Sequence, residues 1–264
     1  MLKRTISAII ALPLLFYILL TGGPVLKIAT FVVSIIGLFE FYRAFSKKEK
    51  PISWVGYAMT ILLFLGFFGD FSKDYFTFVV SLGLFTLLGL VVFSKGSLNG
   101  AMITFTGFFY VAFSLSHMIL ISDLDDNFFI WYPFIIAFLS DTFAYLTGKL
   151  LGKTKLIPSV SPNKTVEGSL GGVIGSVLFS FLFAMVFKPE FQFYAIIMGL
   201  TGSILSQIGD LIASKIKRLY DIKDFGNIMP GHGGVLDRFD SVIVTLPLVY
   251  YFMILFREIN SKLV

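Results

Sequence analysis

Nine apolar runs, each near the twenty or so residues that carry a helix across a hydrocarbon core, leave this chain few alternatives to a polytopic membrane bundle. They fall at about 5–22, 25–45, 53–69, 75–93, 100–121, 128–147, 169–187, 193–213 and 240–257. Gly, Pro, Ser or charged breaks separate them, as at Thr21-Gly22-Gly23-Pro24 and from Lys47 to Pro51. Lipid offers backbone amides no partner, so each run must pair its own. The expected class is therefore all-α, with about nine transmembrane helices in a single membrane domain, 1–264. Within it, 1–125 reads as scaffold and lipid-facing wall, and 126–264 as catalytic spans with motif loops. The first run imitates a signal peptide behind Lys3 and Arg4 but lacks an A-x-A-type cleavage site, and it is kept as a span.

The chain has no cysteine, which removes disulfides, thiolate metal sites and a cysteine nucleophile together. Oxygen ligands remain, and these favour hard cations of the Mg²⁺ kind. The net charge of +5 does not point to nucleic acid, because the basic residues lie between apolar runs. With the N-terminus in the cytoplasm, sixteen Lys and Arg fall inside and five (Lys27, Lys73, Lys188, Arg257 and Lys262) outside, as the positive-inside rule requires. The acidic loop Asp123-Leu124-Asp125-Asp126 then lies outside, and both charged motif loops face the cytoplasm. Glu40 and Asp70, at span ends in the first half, are expected to be interfacial and water-exposed.

Polar groups enter the spans after residue 128. Asp141, late in the sixth run, costs roughly 2.5–3.5 kcal/mol to insert and should face a cavity or a partner, with Tyr145 one turn on. Gly148-Lys149-Leu150-Leu151-Gly152-Lys153-Thr154 looks like a phosphate-binding loop one residue short, and it follows a membrane helix where that motif needs a strand. Next comes Ser161-Pro162-Asn163-Lys164-Thr165-Val166-Glu167-Gly168, a loop leading to a helix N-terminus whose free amides attract anions. Lys164 there is either a triphosphate ligand or a topological charge. Gly171 and Gly175 suit close helix packing better than a phosphate cradle. Ser203, Ser206, Gln207, Asp210, Ser214 and Lys217 recur at steps of three or four, one polar stripe on an apolar helix. Beyond it, Asp237 and Asp240 share the first turn of the last helix, amid Arg218, Lys223, Asp224 and Arg238. His232 sits in a Pro-Gly-His-Gly-Gly turn whose amides can approach an oxyanion.

At these residues the chain resembles the phosphatidate cytidylyltransferases. The resemblance rests on Ser214, Lys217-Arg218, Lys223-Asp224, Gly226, Pro230, His232-Gly233-Gly234, Asp237-Arg238 and Asp240. An upstream element, Asp141-Thr142 through Ala144-Tyr145 to Gly148, then Ser161-Pro162, Lys164-Thr165 and Glu167-Gly168, adds to it. Members often carry Glu before the signature serine, where this chain has Ala213, and Asp221 matches no motif position. The resemblance implies Mg²⁺-dependent transfer of CMP from CTP to phosphatidic acid in phospholipid biosynthesis, at the cytoplasmic side of the inner membrane. It implies a metal centre on Asp210, Asp224, Asp237 and Asp240, of one or two metals with room for a monovalent cation. Asp237, Asp240, Asp210 and Lys223 are the expected catalytic residues. Lys164, Ser214, Lys217, Arg218, His232, Arg238 and Asp141 are expected to bind substrate. The bilayer is the other expected partner, and a homodimer is compatible with the sequence. The rivals are a CTP-dependent transferase or kinase acting on another lipid, and a cation-coupled transporter. The Asp-Gly pair of the CDP-alcohol phosphotransferases is absent.

Overall fold

A computed structural model describes residues 2–94, 96–124, 128–229, 231 and 233–261. Lys95, Asp125, Asp126, Pro230, His232 and Lys262 lie outside the described residues. The helices are α1 (Leu2–Thr21), α2 (Gly23–Phe45), α3 (Ser53–Phe68), α4 (Lys73–Phe93), α5 (Leu98–Gly107), α6 (Ser114–Leu124), α7 (Tyr132–Leu151), α8 (Val166–Phe187), α9 (Gln192–Leu219) and α10 (Leu236–Ser261). A π-helical turn, Phe108–Phe113, joins α5 to α6 in one apolar helix, Leu98–Leu124. Every apolar run is thus helical. Among the described residues seven helices are long and apolar enough to cross a membrane, and α3 and the apolar part of α1 (Ala11–Thr21) are shorter.

The ends of these helices follow from local chemistry. Pro24 sits in the first turn of α2, where its missing N–H costs nothing. The Ser97 hydroxyl accepts from the Gly100 amide at the start of α5, and Thr165 does the same for Gly168 at the start of α8. Helix α9 runs six residues past its apolar stretch, with Lys217 and Arg218 in its last turn, where cations complement the carbonyl end of the helix.

One stretch expected as loop is ordered. Lys155–Ile157 (β1) pairs antiparallel with Ser161–Thr165 (β2), Lys155 opposite Thr165 and Ile157 opposite Ser161. Pro162 is tolerated because a two-stranded ribbon leaves each strand one unpaired edge.

The chain forms two compact units, Met1–Ile119 with Leu219–Arg238, and Leu120–Arg218 with Phe239–Val264. The first is built round aromatic residues of α2. Phe41, Tyr42 and Phe108 are almost fully buried, and the Tyr42 hydroxyl donates to the Thr104 carbonyl at 2.8 Å. Gly56 and Gly107 make room for the Tyr42 ring, which a Cβ at either would strike. In the second unit α8 lies directly on α7. A Cβ on Gly172 would stand 2.7 Å from the Ser140 carbonyl oxygen, and one on Gly168 2.7 Å from that of Ala144. Small residues at i and i+4 permit this approach, so the glycines of 168–175 serve packing.

Candidate active site

In the second unit the polar stripe of α9 divides in two. Ser203 and Ser206 are fully buried. The Ser203 hydroxyl is 2.8 Å from that of Ser140 on α7. The Gln207 amide donates to the Ser169 carbonyl on α8 at 3.1 Å, so the upper stripe ties three helices together. The lower stripe opens on a hollow of about 400 Å³ lined by Asp141, Tyr145, Lys149, Lys164, Gln207 and Asp210. Lys164, on β2, forms an ion pair with Asp210, and both are about three-quarters buried. Ser214, one turn on, donates to Asp210 Oδ1 at 3.4 Å. The Ser241 hydroxyl donates to Asp141 Oδ2 at 3.5 Å, and the Ser241 amide donates to Asp240 Oδ1 at 2.8 Å. Asp210, Asp141 and Lys217 all act electrostatically on Asp240. Asp141, Asp210 and Asp240 are thus linked in sequence, with Lys164 and Lys217, by contacts that run from the hairpin through α9 to α10 and α7.

Two expectations for this unit change. The helix N-terminus at 165–168 does not hold its amides open for phosphate: Gly168 donates to Thr165 Oγ1 at 3.1 Å. The Glu167 carboxylate takes the amides of Lys153 and Thr154, at 3.0 and 3.2 Å. That also disposes of the short glycine loop at 148–154, whose last amides close the hairpin base. Arg218 is exposed and donates to the Val160 carbonyl at 3.5 Å, which anchors the end of α9 to the hairpin turn.

In the first unit the motif loop 219–238 is fastened to α2, a helix whose polar residues looked incidental. Glu40, expected at the water interface, is fully buried. Its Oε1 accepts the Val235 amide at 3.1 Å and its Oε2 the Leu236 amide at 2.8 Å, capping α10 from nearly two hundred residues away. Gly226 and Gly234 flank this carboxylate, and a Cβ on either would collide with it. Arg43 donates to the Phe225 carbonyl at 3.0 Å while its guanidinium lies over the Phe39 ring. At the loop's start Lys48 donates to the Leu219 carbonyl at 2.6 Å and pairs with Asp221 at 2.9 Å. This pairing holds the exposed Asp221 carboxyl below the usual carboxylate range.

Asp237 is 7% exposed. Its Oδ2 accepts two loop amides, Phe225 at 2.8 Å and Gly234 at 3.0 Å. Gly231 and Gly233, at φ 80° and 88°, give the left-handed turn that brings the Met229 amide to the Gly233 carbonyl at 2.9 Å. Lys223, Asp224 and Arg238 are exposed and line a second hollow, of about 610 Å³. Asp210 and Asp240 belong to one unit, and Asp224 and Asp237 to the other. Among the described residues neither unit gathers three carboxylate or imidazole groups round one point.

The model of the cytidylyltransferase family matches residues 2–256. The chain belongs to that family. Relatives named phosphatidate cytidylyltransferase run along nearly all of it. The one from Bacillus subtilis (strain 168) is 33% identical, over 96% of this chain and 98% of its own. Those from Staphylococcus haemolyticus (strain JCSC1435) and Staphylococcus aureus (strain COL) are 34% and 35% identical, each over 95% of this chain and 98% of their own. The match includes the first half of the cytidylyltransferase, where motif reading found only apolar spans. Glu40 and Arg43 were the missed residues there. The signal that could have found them is a carboxylate and a guanidinium one turn apart inside an apolar run, since such groups in a span need partners.

Proposed function

We propose that this cytidylyltransferase transfers CMP from CTP to phosphatidic acid, giving CDP-diacylglycerol and pyrophosphate. The observation that carries the reading is likeness to phosphatidate cytidylyltransferases over 98% of their length. In the reaction a phosphate oxygen of the lipid attacks the α-phosphorus of CTP. The bond from that phosphorus to the β-phosphate bridge oxygen breaks, and pyrophosphate leaves with its electron pair. No covalent enzyme intermediate is needed. A phosphate monoester is already ionised near neutral pH, so a strong general base is not required either.

The obstacle is the meeting of two polyanions, and the charged residues answer it. Lys164 and Lys149, in the hollow that holds Asp210, would take the triphosphate, and Lys217 would add charge beside them. Lys223 and Arg238 would take phosphate at the other hollow. The acids suit a hard cation: all are carboxylates, and Asp210 already holds an ammonium. Asp210 and Asp240 in one unit would be ligands of Mg²⁺, as would Asp224 and Asp237 in the other, and the charge supplied would offset that growing on the α-phosphate and the leaving group. Asp237 holds the motif loop with one oxygen, so its role in this reading is double. The excess of Lys and Arg in alternate connections supports an active site facing the cytoplasm.

The test is to incubate purified protein with CTP and phosphatidic acid, with Mg²⁺ and with chelator. Equimolar pyrophosphate and lipid-bound cytidine, lost on chelation, is the expected result. Turnover that persists after chelation removes the metal assignment, and absence of lipid-bound cytidine removes the reading.

A further inference from the structure

In the first unit the segment Asn227-Ile228-Met229 separates two cavities of opposite character. Asn227 and Met229 line the 610 Å³ hollow with Lys223, Asp224 and Arg238. Ile228, between them, lines a groove of about 700 Å³ whose other walls are Phe31, Ile35 and Phe39 of α2 and Tyr57 and Ile61 of α3. Asn227 and Met229 line one chamber and Ile228 the other, so one short stretch borders a charged hollow on one side and an apolar groove on the other. Ile228 is 53% exposed.

We propose that this segment is the saddle of a lipid site: the phosphate of a phosphatidate-type lipid lies in the Lys223/Arg238 hollow and an acyl chain lies in the α2–α3 groove. This rests on the proposed transferase function and goes beyond it by assigning the lipid, not the nucleotide, to this hollow. Phe31, Ile35 and Phe39 follow one another at steps of four along one face of α2 and span on the order of 12 Å, against roughly 15 Å for one leaflet of hydrocarbon. The Glu40 and Arg43 contacts pin the loop to α2 just beyond Phe39. They therefore hold the two chambers in register. Any apolar membrane helix faces lipid without preferring a phosphate monoester, whereas here the segment that closes the groove also lines a hollow with two cations, which would select one. The hollow also contains the Asp224 carboxylate, so an anion there must engage Lys223 and Arg238 directly or share a cation with Asp224.

The test uses purified protein in phosphatidylcholine nanodiscs and a phosphatidate carrying a photoactivatable diazirine in its acyl chain. Labelling is expected at residues 31–39 and at 228, competed by unlabelled phosphatidate and not by added phosphatidylcholine or by CTP without metal. Filling the groove with Ile35→Trp or Ile228→Trp displaces two or three methylenes of chain and should cut labelling about tenfold. Lys223→Ala with Arg238→Ala should leave labelling but erase the preference for phosphatidate. Labelling indifferent to headgroup, equal along α4, or competed by CTP alone overturns the proposal. The two readings fail separately: labelling at this site without cytidine transfer would sink the transferase function, and transfer without labelling here would sink the lipid site.

Discussion

Glu40 has two buried amides and nothing else to satisfy, so its removal leaves donors without acceptors inside the protein. Such a loss costs about 1–3 kcal/mol per unsatisfied group. Glu40→Ala is expected to lower thermal stability and activity together, and Glu40→Gln, which keeps one acceptor, to lose less of both; the melting temperature and the rate of CMP transfer read this. Asp237 separates its two roles in the same way. Asp237→Asn keeps an oxygen for the amides of Phe225 and Gly234 but loses the charge. The variant should fold and extract normally and yet fail to transfer CMP, and near-normal transfer would remove Asp237 from the metal set. Lys164→Ala should chiefly raise KM for CTP, and an unchanged KM would leave Lys164 as the counter-ion of Asp210 alone. Asp221 behaves differently. Its carboxyl is depressed by Lys48, so its contribution is complete above the unfolded value near 3.8 and is lost only as pH falls through the lower folded value. Asp221→Asn should therefore leave the pH profile of transfer between 6 and 9 unchanged.

At the scale of elements, periodicity carried most of the information. The nine apolar runs fixed where helices lie, and steps of three and four along 203–217 identified the polar face of α9 correctly. What periodicity could not say is which part of that face is dry. Ser203 and Gln207 are committed to α7 and α8 by hydrogen bonds to residues sixty and forty positions away, and such partners leave no local trace. The hairpin at 155–165 was missed for a related reason, since its strands are too short and polar to show alternation. Capping of α10 by Glu40 is the extreme case: a carboxylate in an apolar run advertises a need for partners without naming them. The packing of α8 on α7 gives a prediction at this scale. Gly172→Leu puts a side chain where a Cβ already lies 2.7 Å from the Ser140 carbonyl oxygen. The variant should fail to give a monodisperse peak on size exclusion in detergent, whereas Leu170→Ala, on the exposed face of the same helix, should elute as wild type.

For the molecule as a whole, the motif loop is part of the same compact unit as the first half of the chain. The apparent scaffold thus supplies the anchors of a loop whose own residues, Lys223, Asp224 and Arg238 among them, line the hollow. A sequence without cysteine makes the topology directly accessible. Single cysteines at Lys47, Lys153 and Asn227 should react with an impermeant maleimide only when the cytoplasmic face is exposed, and one at Lys188 only from the opposite side; the reverse pattern would invert the orientation. Transfer of CMP is open to direct test. CTP labelled separately at its α- and γ-phosphates, given with phosphatidic acid to the purified protein, reads it in one assay. CMP transfer predicts α-label in the lipid and γ-label in pyrophosphate in equal amounts. Label from the γ-phosphate in the lipid, or none in it from either position, would contradict it.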